Sequence, residues 1–132
     1  MKAELIAPAS LGTVWADALP WVETAMDRGG RFEPEDIRSR VENSQMQLWI
    51  ARDAGGVSAV CVTEILEYPR CRVFSIVILT GRERENWIDQ MDALKAQGRQ
   101  WGCNRIEAWA RPGWKRVLTD WRHTHSLLEA DL

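Results

Sequence analysis

The stretch VTEILEYPRCRVFSIVILTGRERENW, Val62 to Trp87, decides the fold. Tyr68-Pro69-Arg70-Cys71 is a turn between two apolar runs, Val57 to Leu66 and Arg72 to Leu79, both rich in β-branched residues. Pairing the runs symmetrically about Pro69 and Arg70 sets Glu67 opposite Arg72, a favourable cross-strand pair, and Glu64 opposite Ser75. This register predicts Cys61, Ile65, Phe74, Ile76 and Ile78 on one sheet face. Val60, Val62, Val73, Val77 and Leu79 fall on the other. Both faces are apolar, so both must be covered, and the helical segments before and after are the natural covers. A mixed α/β (α+β) domain follows, and a sandwich of two sheets does not.

Upstream, Met46, Leu48 and Ile50 alternate with Gln47, Trp49 and Ala51, a strand that turns at Asp53-Ala54-Gly55-Gly56 into the hairpin. Before it, Glu35, Asp36, Ile37 and Val41 fit a short helix opened by Pro34. Leu11, Trp15, Ala18, Leu19, Val22 and Met26 follow helical spacing, with Ser10 as a candidate cap and Pro20 as a kink or a second start. Glu4 to Ala7 reads as a first strand. Downstream, Trp87, Ile88, Met91, Leu94 and Trp101 mark a long helix that stops at Gly102 and is weakened at Gly98. Arg105 to Ala110 reads as a strand, Trp114 to Trp121 as a short helix, and His123 to Leu128 as a final strand.

The 132 residues, 45% hydrophobic and 27% charged, make one domain over 1–132 with an ordinary globular composition. A net charge of -2 with interleaved signs gives no basic footprint, so no nucleic-acid partner is expected. Cys61, Cys71 and Cys103 have no metal-ligand spacing and fit a reducing compartment. No apolar run approaches the roughly 20 residues that span a bilayer, and the first residues lack a signal-peptide core. A cytoplasmic protein is the expectation. His123 and His125 share a side if their segment is a strand, but no third metal ligand accompanies them, and no metal is expected.

The corner ILTGRERENW, Ile78 to Trp87, has two readings. Strand, glycine, helix start is the arrangement whose free N–H groups hold a phosphate, with Arg82 and Arg84 adding charge. Thr80-Gly81-Arg82-Glu83 also fits a capping box in which Thr80 and Glu83 occupy those N–H groups themselves, the reading that the single glycine favours. Glu83 and Glu85 would repel a diphosphate.

QLWI (Gln47 to Ile50), VTEILEYPR (Val62 to Arg70), the Thr80-Gly81 turn, WGCNRIE (Trp101 to Glu107) and RPGW (Arg111 to Trp114) stand in the order β-α-α-β-β-β-α-β-α-β. Together they resemble the GNAT superfamily of N-acetyltransferases over nearly the whole chain. More narrowly, they resemble the short GNAT-like proteins encoded by phages and prophages, which would extend the location to a host cytoplasm or a virion. The resemblance implies a mixed, mostly antiparallel sheet with helices on both faces, whose strands before and after the long helix splay apart. It implies acetyl-CoA in that wedge against Ile78, Leu79, Thr80, Gly81, Arg82 and Arg84, and transfer of the acyl group to a small amine or a protein amine. This sequence departs from the family in having one glycine at the corner and no tyrosine near the last helix. A non-catalytic binding or assembly module with the same fold is therefore the alternative. Oligomeric state is open, a homodimer included.

Such a transfer needs a base. Glu64, a carboxylate among Val60, Val62 and Leu66, is the candidate, because an apolar setting raises a carboxyl pKa. Its bland alternative is a hydrogen bond to Ser75. Glu107 is a second candidate.

Overall fold

The computed structural model describes residues 3–29, 31–82, 90–109 and 112–132. Its strands are β1 (Glu4–Ile6), β2 (Gln47–Asp53), β3 (Gly56–Tyr68), β4 (Cys71–Gly81) and β5 (Arg105–Ala108). The helices are α1 (Leu11–Gly29), α2 (Pro34–Glu42) and α3 (Met91–Gln100), with 3-10 turns at Pro8–Ser10 and Pro112–Arg116. The strands lie in the order β1-β2-β3-β4-β5, antiparallel except for the parallel pair β4 and β5.

Both sheet faces are buried, as the apolar runs require. On one face Leu48, Ile50, Val60, Val62 and Ile78 pack with Leu11, Trp15, Ala18 and Val22 of α1 and Ile37 and Val41 of α2. On the other, Trp49, Cys61, Phe74 and Ile76 pack with Met91 and Leu94 of α3. Pro20 lies inside α1 without ending it, and one turn later Thr24 Oγ1 donates to the Pro20 carbonyl at 2.9 Å. Ser10 belongs to the 3-10 turn, and its carbonyl accepts from Thr13 Oγ1. α2 starts on a reciprocal capping box between Glu33 and Asp36.

Gly98 has a packing reason. A Cβ there would lie 3.2 Å from the Phe74 ring, so the missing side chain lets α3 settle onto the sheet. α3 ends as expected at Gly102, whose φ of 85° is the left-handed conformation that closes a helix. The part of the expected helix around Trp87 and Ile88 lies outside the described residues.

Three expectations need correction. The hairpin register holds from Tyr68↔Cys71 through Thr63↔Ile76, including Glu67↔Arg72 and Glu64↔Ser75, then shifts so that Val62 meets Ile78. Val77 is the extra residue of a β-bulge. It exchanges the expected faces of the next two side chains: Ile78 packs under α1 and Leu79 on the α3 side. The expected last helix is a 3-10 turn, Pro112–Arg116. His123 to Leu128 forms no strand, and residues 122–132 are exposed throughout.

Candidate active site

The bulge sits where β4 and β5 part. Their parallel pairing runs from Val73↔Arg105 to Ile76↔Ala108 and stops. β4 continues to Gly81, still paired with β3 at Val60↔Thr80 and Ala59↔Gly81. From Val77 to Gly81 its other edge meets no strand among the described residues. The bulge bends β4 one residue past its last pair with β5, which itself ends at Ala108. The stretch of β4 from Ile78 to Gly81 thus begins just past the point where β5 ends at Ala108.

One row below this point, Glu64 of β3, Ser75 of β4 and Glu107 of β5 stand side by side on the face covered by α1 and α2. Ser75 is 1% exposed. Its hydroxyl donates to Glu107 Oε2 at 3.1 Å, and not to Glu64 as the bland alternative expects. Glu64 is half-buried, and its carboxyl is raised above the ordinary range, first by burial. The Arg40 guanidinium of α2 opposes this, and the Glu107 charge adds to it. A carboxylate beside a like charge in partly dry surroundings is what a general base for an ammonium proton requires.

The corner is partly committed elsewhere. The Arg82 N–H donates to the Ser58 carbonyl at 3.1 Å. Its guanidinium lies 3.5 Å from Asp53, donates to the Val57 carbonyl at 3.0 Å, and stacks 5.9 Å from the Trp21 ring centre. Arg82 therefore ties the end of β4 to the β2–β3 turn. Thr80 and Gly81 are strand residues. Arg84 and the Glu83 half of the capping box lie outside the described residues, so the choice between cradle and box falls there. The bulge and the tie of Arg82 escaped sequence reasoning, because neither a skipped pair nor a contact between residues so far apart in the chain has a local signature.

Tyr68 closes the hairpin at Tyr68↔Cys71, at the end of β3 away from the wedge. The described residues contain no group of three metal-ligating side chains, and no described helix is long and apolar enough to cross a membrane. His123 and His125 are exposed, and His123 Nε2 pairs with the carbonyl of His125. A separate pocket of about 220 Å³ lies at the other end of β5, lined by Phe74, Lys95, Gly98, Arg99, Cys103 and Arg105. Lys95 of that lining is already paired with Asp120 at 2.9 Å.

This architecture is the fold of the GNAT acetyltransferases. An aminoglycoside acetyltransferase from an uncultured soil metagenomic sample, solved with sisomicin, superposes with a TM-score of 0.71 at 12% identity over 98% of this chain and 95% of its own. A ribosomal-protein-alanine N-acetyltransferase from Brucella melitensis biovar Abortus 2308 gives 0.70 at 11% identity, with both chains covered fully (100% each). A predicted acetyltransferase from Clostridium acetobutylicum, solved with acetyl-CoA, gives 0.69 at 11% over 98% of this chain and 94% of its own. No protein-family model matches the chain, and no curated protein matches it in sequence. What is shared at such identities is the fold.

Proposed function

We propose that the protein is an acyl-CoA-dependent N-acyltransferase with acetyl-CoA as donor and a small or protein amine as acceptor. The observation that carries this is the parting of β4 and β5 at the Val77 bulge, one row from the Glu64–Ser75–Glu107 line. The free edge of β4 suits an extended ligand with amide groups, because it presents backbone donors and acceptors with no strand to meet them. In this reading Ile78, Leu79, Thr80 and Gly81 line the donor arm. Arg82 holds the β4 end in place, and Arg84 with the amides after Arg82 meets the diphosphate. When bound, acetyl-CoA supplies an acyl group activated as a thioester.

Glu64 takes the proton of the incoming ammonium, leaving a neutral amine nitrogen with a free lone pair. Ser75 and Glu107 position it: the hydroxyl holds the Glu107 carboxylate, whose charge raises the affinity of Glu64 for a proton. The amine comes from the face of α1 and α2, since the row projects there. The finer likeness to phage-encoded proteins, and with it a host-cytoplasm or virion setting, rests on the sequence motifs, and a cytoplasmic location on the spacing of Cys61, Cys71 and Cys103.

Isothermal titration with acetyl-CoA and with desulfo-coenzyme A tests the donor site. Saturable heat and a raised melting temperature are expected. No heat and no thermal shift at millimolar ligand would overturn the enzyme reading and leave the binding-module alternative.

A further inference from the structure

On the face covered by α1 and α2, the Arg40 charge reaches the Glu64 carboxyl and favours its ionised form. Yet the two do not pair. Among the described residues Arg40 forms no ion pair with any carboxylate. Its guanidinium lies instead over the Phe32 ring, 5.2 Å from the centre, a contact through the ring face that uses none of its N–H donors.

The surrounding elements fix it there. The Arg40 carbonyl accepts from the N–H groups of Gln45 at 2.8 Å and Met46 at 3.1 Å, which ties the end of α2 to the chain entering β2. Ile37 and Val41 of α2 are buried in one cluster with Val62, which shares its side of β3 with Glu64, and Phe32 packs against that cluster. The second carboxylate of the row, Glu107, is held by Ser75 at 3.1 Å and has no cation partner among the described residues.

Opposite charges held apart leave a gap that one kind of ligand fills with both satisfied. A simple amine would meet Glu64 and leave Arg40 beside it with like charge. A polyamine would bring a second cation into the same reach, and an acid without an amine would face Glu64 and Glu107. We propose that the acceptor is a free α-amino acid, its ammonium at Glu64 and its carboxylate in the fork of the Arg40 guanidinium over Phe32. This rests on the acyl-transfer reading and names its acceptor. A protein N-terminus does not fit, because its α-carbon carries a peptide carbonyl and no carboxylate. Glu64 takes the ammonium proton and the nitrogen forms the amide bond as the thioester C–S bond breaks. The second nitrogen proton goes to the departing thiolate, giving an N-acyl amino acid and a free thiol.

The test is acetyl transfer to the common amino acids, to their amides and to spermidine, read as thiol release, beside titration of the same acids into the free protein. At least one acid should be preferred over its amide, and Arg40→Gln should lower that preference by about tenfold or more. Arg40→Lys, which keeps the charge without the fork, should recover part of it. The preference is the readout because Arg40 also acts on Glu64, and a changed proton affinity there affects acid and amide alike. Arg40 is exposed, so both variants should fold like the parent, which melting curves check. Amides or spermidine accepted as readily as acids, or a preference indifferent to Arg40→Gln, would overturn the proposal and leave acyl transfer standing. If nothing is acetylated, the titration decides. Saturable binding of an acid that Arg40→Gln abolishes would keep the amino-acid site and sink acyl transfer, and absence of binding would overturn the site as well.

Discussion

Glu64 is a carboxylate whose neighbours pull in opposite directions. Burial and Glu107 favour its protonated form, Arg40 its charged form, and the net shift is upward. Because the folded pKa exceeds the unfolded one, the stability linked to this group is present below the ordinary carboxylate pKa. It is lost as pH rises through the raised value. Glu64→Gln should therefore melt higher than the parent at neutral pH, with the difference closing in acid, as a pH series of melting curves would reveal. In the acyl-transfer reading the same variant should lose about 10²–10⁴ in kcat/KM. Glu107→Gln removes the like charge, so the acidic limb of the pH–rate profile should move to lower pH. An unmoved limb would separate Glu107 from the site. The sequence marks Glu64 as unusual, since a carboxylate between Val62 and Leu66 breaks an apolar alternation. It does not reveal that Ser75 serves Glu107, because β5 reaches Ser75 only through the crossover of the intervening chain.

At the scale of elements, the bulge in β4 separates a continuous sheet from a wedge. Deleting Val77 removes the extra residue while Ile76 and Ile78 keep their faces. The β4–β5 ladder is then free to run past Ala108. The expected outcome is a folded protein, changed in stability by about 1–2 kcal/mol, in which acetyl-CoA no longer produces a thermal shift. Retained binding would detach the wedge from the bulge. The helices α1 and α2, the described part of α3 and the turns of the meander were legible in the sequence, since turn residues and apolar periods are local. The face assignment was legible up to Ile76. Beyond it, an extra residue in one strand inverts the parity of Ile78 and Leu79, and an alternating pattern apolar on both faces cannot register the inversion.

For the whole molecule, two sheet edges carry the functional questions: the free side of β4 beyond Ile76 and the outer side of β5. In the acyl-transfer reading the first takes the donor arm. The first follows from the shortness of β5, four residues against the eleven of β4, and the second from its place at the end of the strand order. The last segment shows how far period-two reasoning reaches. Its alternation is real, but a strand exists only when a partner supplies hydrogen bonds, and among the described residues of its own chain this segment meets no such strand.

The sequence alone determined the two-faced sheet, its helical covers on either side, the Glu67↔Arg72 register and the carboxylate at position 64. Each of these is written in periodicity or in neighbouring residues. Tertiary structure alone decided the bulge at Val77, the parting of β4 from β5, the row joining Glu64, Ser75 and Glu107, and the tie of Arg82 to Asp53, Val57 and Trp21. Those depend on contacts between residues far apart in the chain, where the energy of the assembled packing, and no local preference, selects the partner.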